Sequence, residues 1–166
     1  MKRYRSSDLR TGRVSEAGRA YVITTATHQR KPLFTCWTLA RLVCRELKAL
    51  HDTEKVTGLA WVVMPDHLHW MFVLHHPALS QVVQRVKVRS ALAVNRALGG
   101  SDPVWQKGFH DHALRRSESL QAVARYIIAN PSRAGLVDRV GDYPFWDAIW
   151  LDAASEVSPC YRDQRS

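Results

Sequence analysis

Residues 56–74 constrain the fold of this chain more tightly than any other stretch. Two short apolar runs, residues 56–64 and 67–74, are joined by Pro65-Asp66 alone. Two residues suffice for a tight antiparallel hairpin and are far too few for the crossover that parallel strands need. The second run opens His67-Leu68-His69. Side chains alternate along a strand with a period of two, so both imidazoles point to one face and Leu68 to the other. Two imidazoles held side by side on a rigid strand form half of a metal site, provided further ligands reach them.

The remaining elements arrange themselves around that hairpin. A β-branched run at residues 20–27 predicts a first strand. Leu39, Leu42, Val43, Leu47 and Leu50 are spaced for the buried face of a helix over residues 38–51. Residues 80–98 form the clearest helix, with Ser80 as its N-cap, Val82, Val83, Val86, Ala93 and Leu98 in its apolar stripe, and Gly99-Gly100 as its stop. Residues 104–114 read as a strand bent at Gly108. Ser117 is expected to cap a helix over residues 118–130, whose buried column is Leu120, Ala124 and Ile127, before Asn130-Pro131 interrupts it. The first six elements run βαββαβ. That order predicts an α+β fold, a ferredoxin-like antiparallel sheet with its helices on one face, plus a C-terminal helix that carries Tyr126. The chain divides into a basic arm (1–19), one catalytic-sized domain (20–137) and an aromatic tail (138–166) whose Tyr143, Phe145, Trp146 and Trp150 can dock back on the body.

With 24 Lys and Arg against 15 Asp and Glu, the net charge is +9, which points to an anionic partner such as a phosphate backbone. Arg3 and Arg5 in the arm, Arg85, Lys87 and Arg89 in the long helix, and Lys107, Arg115 and Arg116 around the last strand are the candidate phosphate contacts. Each could equally belong to a solvated face. Trp105 could stack on unpaired bases or serve as core. The three cysteines show no CxxC spacing, and no run is long and apolar enough to span a bilayer, so a cytoplasmic protein without membrane partners is expected.

Tyr126 and Asn130 are four apart on the predicted last helix and therefore share one side of it. Tyr126 could be an ordinary boundary residue. It could also be a nucleophile, but a phenol titrates near pH 10 and needs a cation or base to lose its proton at neutral pH. A divalent ion on His67 and His69 would supply that help, with Asn130 as a third ligand through its amide oxygen. Imidazoles with an oxygen ligand and open positions for a phosphate suit Mg²⁺ or Mn²⁺. His110 and His112 form a second same-face pair, without the apolar framing of the first, and DNA contact or a structural role suits them better than metal.

Taken in order, these motifs resemble a known family. Met64-Pro65-Asp66-His67-Leu68-His69-Trp70 is similar to the His-hydrophobic-His (HUH) motif of single-tyrosine transposases. Tyr126-Ile127-Ile128-Ala129-Asn130-Pro131-Ser132-Arg133-Ala134-Gly135-Leu136 looks like the nucleophile motif of the REP-associated tyrosine transposases among them. Trp105-Gln106-Lys107-Gly108-Phe109-His110 and Asp142-Tyr143-Pro144-Phe145-Trp146 match the same pattern. The resemblance implies binding of single-stranded hairpins of repetitive extragenic palindromes. It implies attack by Tyr126 on a DNA phosphate, a 5′-phosphotyrosine link with release of a 3′-OH, metal ligation by His67 and His69, and action as a monomer or homodimer. Asn130 stands where insertion-sequence relatives carry glutamine. The competing reading of the same fold and charge is a non-catalytic module that binds single-stranded nucleic acid on an open sheet face.

Overall fold

A computed structural model describes residues 15–75 and 78–149; Arg3, Arg5, Trp150 and the rest of the predicted arm and tail lie outside those described residues. The chain forms β1 (Ala20–Ala26), α1 (Trp37–His51), β2 (Val56–Met64), β3 (His67–Leu74), α2 (Leu79–Leu98), β4 (His110–Ala113), α3 (Leu120–Ile128), α4 (Asn130–Arg133) and β5 (Trp146–Ala148). The five strands make one antiparallel sheet in the order β4-β1-β3-β2-β5. The expected βαββαβ core is present, with the hairpin at its centre.

Burial alternates along β1: Tyr21, Ile23 and Thr25 are buried, and Ala20, Val22, Thr24 and Ala26 are only partly covered. The sheet therefore has two unlike faces. Trp105 bridges Thr27, stacks on Phe34 with centroids 5.3 Å apart, and donates its indole N–H to Ser90 Oγ of α2 at 3.0 Å. Directly paired residues share a face, so α2, and α1 packed on it, cover the Tyr21–Thr27 side. On β3 that side carries Leu68, Trp70, Phe72 and Leu74, none more than 2% exposed. Burying four such side chains stabilises the sheet by roughly 1.5–3 kcal/mol each.

Several local expectations give way to tertiary geometry. The strand foreseen over 104–114 shrinks to four residues, because Gly108 turns the chain at φ +76° and Lys87 captures the backbone before it. Lys87 is buried, and its Nζ donates to Gln106 O and Gly108 O, both at 2.6 Å. Ser80 is not the N-cap of α2; Ala78 is, and Ser15 Oγ accepts the Leu79 N–H at 3.2 Å. In the second half of α2 the buried column is Ser90 and Val94 instead of Ala93 and Leu98, and Leu98 is 57% exposed. The cap of α3 is Ser119, which accepts from Ala122 N, instead of Ser117. Glu118 turns back to the Arg115 N–H at 2.6 Å and to His112 Nε2 at 3.1 Å. Those bonds, the backbone one first, hold its carboxyl below the usual range.

The aromatic segment does more than dock. Residues Trp146–Ala148 extend the sheet as an edge strand beside β2. Ahead of it the buried Tyr143 hydroxyl donates to Val63 O at 2.6 Å, and burial pushes that phenol up to about 12.

Candidate functional site

His67 and His69 stand on the sheet face that α1 and α2 leave uncovered. Strand register sets Thr24 opposite His69 and Met64 opposite His67. The two Nε2 atoms are 3.1 Å apart, with ring planes nearly perpendicular. Both Nδ1 atoms are occupied, His67 by Asp66 Oδ1 at 2.7 Å and His69 by Thr24 Oγ1 at 2.9 Å. A carboxylate only accepts, so His67 presents Nδ1–H to Asp66, and in its neutral form the ring has its lone pair on Nε2. His69 has two choices. It can accept from the Thr24 hydroxyl and donate Nε2–H to His67, which closes a metal-free hydrogen bond. Or it can donate Nδ1–H to Thr24, which turns two lone pairs toward one point. The second state is a two-imidazole ligand set with oxygen partners behind each ring, the usual backing of metal-bound histidine. The 3.1 Å separation also fits adjacent ligands of an octahedral ion with bonds of about 2.2 Å. Burial, with the charges of His67, Arg133 and Arg30 adding to it, lowers the His69 pKa to about 4, so the ring is neutral near pH 7 as a ligand must be.

The tyrosine arrives on the same face. Ala60, Val62 and Met64 of β2 point to the histidine side and are buried there, with α3 laid across β2. Ala124 and Ile127 form the buried side of α3, so Tyr126 falls on its outer flank and is 63% exposed. The Arg133 guanidinium sits 3.7 Å from the Tyr126 ring centroid, and the same charge acts on His69. The tyrosine helix α3 thus lies on the histidine face of the sheet, against β2 and the neighbouring β3 and β5. Asn130-Pro131 interrupts the helix only briefly: α4 follows directly after Ala129. Pro131 has no N–H for Ile127 O, and Asn130 Nδ2 takes that place at 2.8 Å while also reaching Tyr126 O at 3.3 Å. The side chain of Asn130 is therefore partly spent on splicing the two helices. Its oxygen takes no hydrogen bond from a described residue. Among the described residues no cluster of three or more His, Cys, Asp or Glu side chains gathers for a metal.

The other candidates separate by surroundings. His110 and His112 share the face of His69: strand register runs His110–Thr24–His69 across three strands. Both are exposed, as are Lys107, Arg115 and Arg116. Lys87 and Trp105 cannot be surface DNA contacts, because both are buried and bonded into the core beneath the opposite face. Arg85 and Arg89 lie on α2, across the sheet from the histidines, and Arg89 is paired with Glu46 at 2.7 Å. Thr24, Asp66 and Arg133 were not singled out from sequence. Asp66 directly precedes His67 and could have been proposed as its partner; Thr24 needed the strand register and Arg133 the helix splice. A cavity of about 520 Å³ between α1 and the β2–β5 edge, lined by Arg41, Lys48, Trp61 and Asp147, includes none of the histidine-site residues.

The pattern of the family described as "Transposase IS200 like" matches residues 17–130, a span holding both histidines and the tyrosine. A REP-associated tyrosine transposase of Escherichia coli (strain K12) is 32% identical over 88 residues, 52% of this chain and 50% of that one. A Haemophilus influenzae protein given the same family description is 23% identical over 112 residues, 61% of this chain and 63% of its own length. The match thus spans about half the length of the first of these curated relatives. Among solved structures, a REP-associated tyrosine transposase bound to a REP hairpin superposes with a TM-score of 0.65 at 26% identity, over 88% of this chain and 82% of that one. No helix among the described residues is long and apolar enough to cross a membrane. The chain belongs to the IS200-like transposase family.

Proposed function

We propose that this protein cleaves and rejoins single-stranded hairpin DNA, with Tyr126 as nucleophile and His67 and His69 as ligands of Mg²⁺ or Mn²⁺. The single observation that carries the reading is the convergence, on one sheet face, of two backed imidazoles with Nε2 atoms 3.1 Å apart and an exposed tyrosine on an adjoining helix. The hairpin-bound relative supports palindromic single-stranded DNA as the substrate.

Asp66 and Thr24 orient the imidazoles, and Asn130 Oδ1 is the candidate third ligand. A bound divalent ion would withdraw charge from the phosphate and favour the phenolate. Tyr126 Oη attacks the phosphorus and the P–O3′ bond breaks. The phenol gives up a proton and the departing 3′ oxygen gains one, which leaves a 5′-phosphotyrosine and a free 3′-OH. Reversal by a second 3′-OH rejoins the strand. The half of the histidine face not covered by α3, with His110 and His112 exposed on it, offers a track for the flanking single strand.

The test is a pool of hairpin oligonucleotides with randomised flanks, incubated with the protein and Mn²⁺. Wild type should give a covalent protein–DNA adduct that EDTA prevents. Binding that EDTA leaves unchanged, with no adduct, would support the non-catalytic module instead.

A further inference from the structure

Arg133, on α4, packs against Tyr126. Its guanidinium lies over the face of the Tyr126 ring at 3.7 Å, and its Nη1 reaches Tyr126 O at 3.5 Å, long for a hydrogen bond. Arg30, which also acts on His69, is paired with Asp66 at 3.4 Å. Among the described residues no carboxylate pairs with Arg133, which is exposed. A stacked guanidinium spends its face on the ring and keeps its N–H edge for in-plane acceptors. A phosphodiester presents two oxygens in the geometry that edge matches.

We propose that Arg133 is a phosphate-binding residue of this site, its N–H edge holding the scissile phosphodiester against Tyr126 Oη. The proposal rests on the transferase reading above and deepens it. As the Tyr126–phosphorus bond forms and the P–O3′ bond breaks, negative charge grows on the non-bridging oxygens. A guanidinium fixed on the nucleophile's own ring follows the reacting atoms with no separate positioning step.

Two measurements test it on the full chain. Arg133→Gln and Arg133→Ala should slow adduct formation on a hairpin selected from the pool by about 10²–10³-fold, as loss of one preorganised donor typically does. Arg133→Lys, which keeps the charge without the fork, should recover part of the loss. The second measurement is a binding cycle in EDTA, in the Tyr126→Phe background, with a phosphodiester or an uncharged methylphosphonate at the scissile position. Neutralising the phosphate should weaken binding about tenfold when Arg133 is present and little in Arg133→Gln, since a cycle isolates the pairwise contact. A cycle that closes without coupling, or substitutions that leave the adduct rate unchanged, would overturn the proposal while the transferase reading stands. If wild type forms no adduct with any member of the pool, the transferase reading fails and takes this proposal with it.

Discussion

His67 and His69 on β3, and His110 and His112 on β4, have the same spacing and the same sheet face, with only β1 between them. The first pair sits on a central strand with fully buried neighbours, and each ring is held from behind by an oxygen. The second sits on a four-residue edge strand. His112 meets Glu118 across an exposed contact at 3.1 Å, and the loop before the strand is fixed by Lys87 from below. Identical spacing therefore gives two different objects. What separates them is the register that brings Thr24 to His69 and the turn that brings Asp66 to His67, not the His-x-His pattern itself.

The largest effect should come from removing the first pair. His67→Ala or His69→Ala should abolish Mn²⁺ binding measured by calorimetry or by the electron-spin signal of free Mn²⁺, with His110→Ala and His112→Ala binding like wild type. Equal losses from both pairs would break the distinction. Thr24→Val comes next. Without the hydroxyl the Nδ1–H of His69 has no acceptor, and Mn²⁺ affinity should fall about 10–100-fold, the usual range for an outer partner of a metal-bound histidine.

Lys87→Met separates the pairs by stability. Two backbone carbonyls lose a charged donor that is itself buried, so chemical denaturation should show a loss of about 1–3 kcal/mol, while Mn²⁺ affinity stays unchanged because the β3 pair does not depend on that loop. The pH dependence should be smaller and of known sign. His69 takes a proton near pH 6.5 when unfolded but only near 4 when folded, so the unfolded chain binds more protons in that window. Metal-free stability should therefore fall as pH drops from about 6.5 to about 4, and His69→Gln should flatten that slope where His110→Gln leaves it in place. A slope that survives His69→Gln would assign it elsewhere.

Much of this arrangement was legible in the sequence, for reasons specific to certain residues. The hairpin at 56–74 could be read because two apolar strands and a two-residue link leave no other connection. The same-face placement of His67 with His69 follows from strand period alone. Lys87 reads as a phosphate contact and Trp105 as either a base-stacking or a core group, because charge and aromaticity report chemistry and not burial; both prove to be buried. A lysine that reaches two carbonyls through the core has no sequence signature. Asn130 looked like a ligand, and only the helix geometry revealed that its amide nitrogen serves the carbonyl that Pro131 cannot. The fifth strand was hidden because three residues, Trp146–Ala148, are too few to show a period.

The central claim is that Tyr126 itself attacks DNA beside the β3 histidines. Peptide mass spectrometry of the adduct formed with the hairpin pool and Mn²⁺ tests it most directly. The account predicts a 5′-phosphorylated nucleotide on the peptide containing Tyr126, and no adduct from Tyr126→Phe. A nucleotide attached to another residue, or an adduct that persists in Tyr126→Phe, would contradict it.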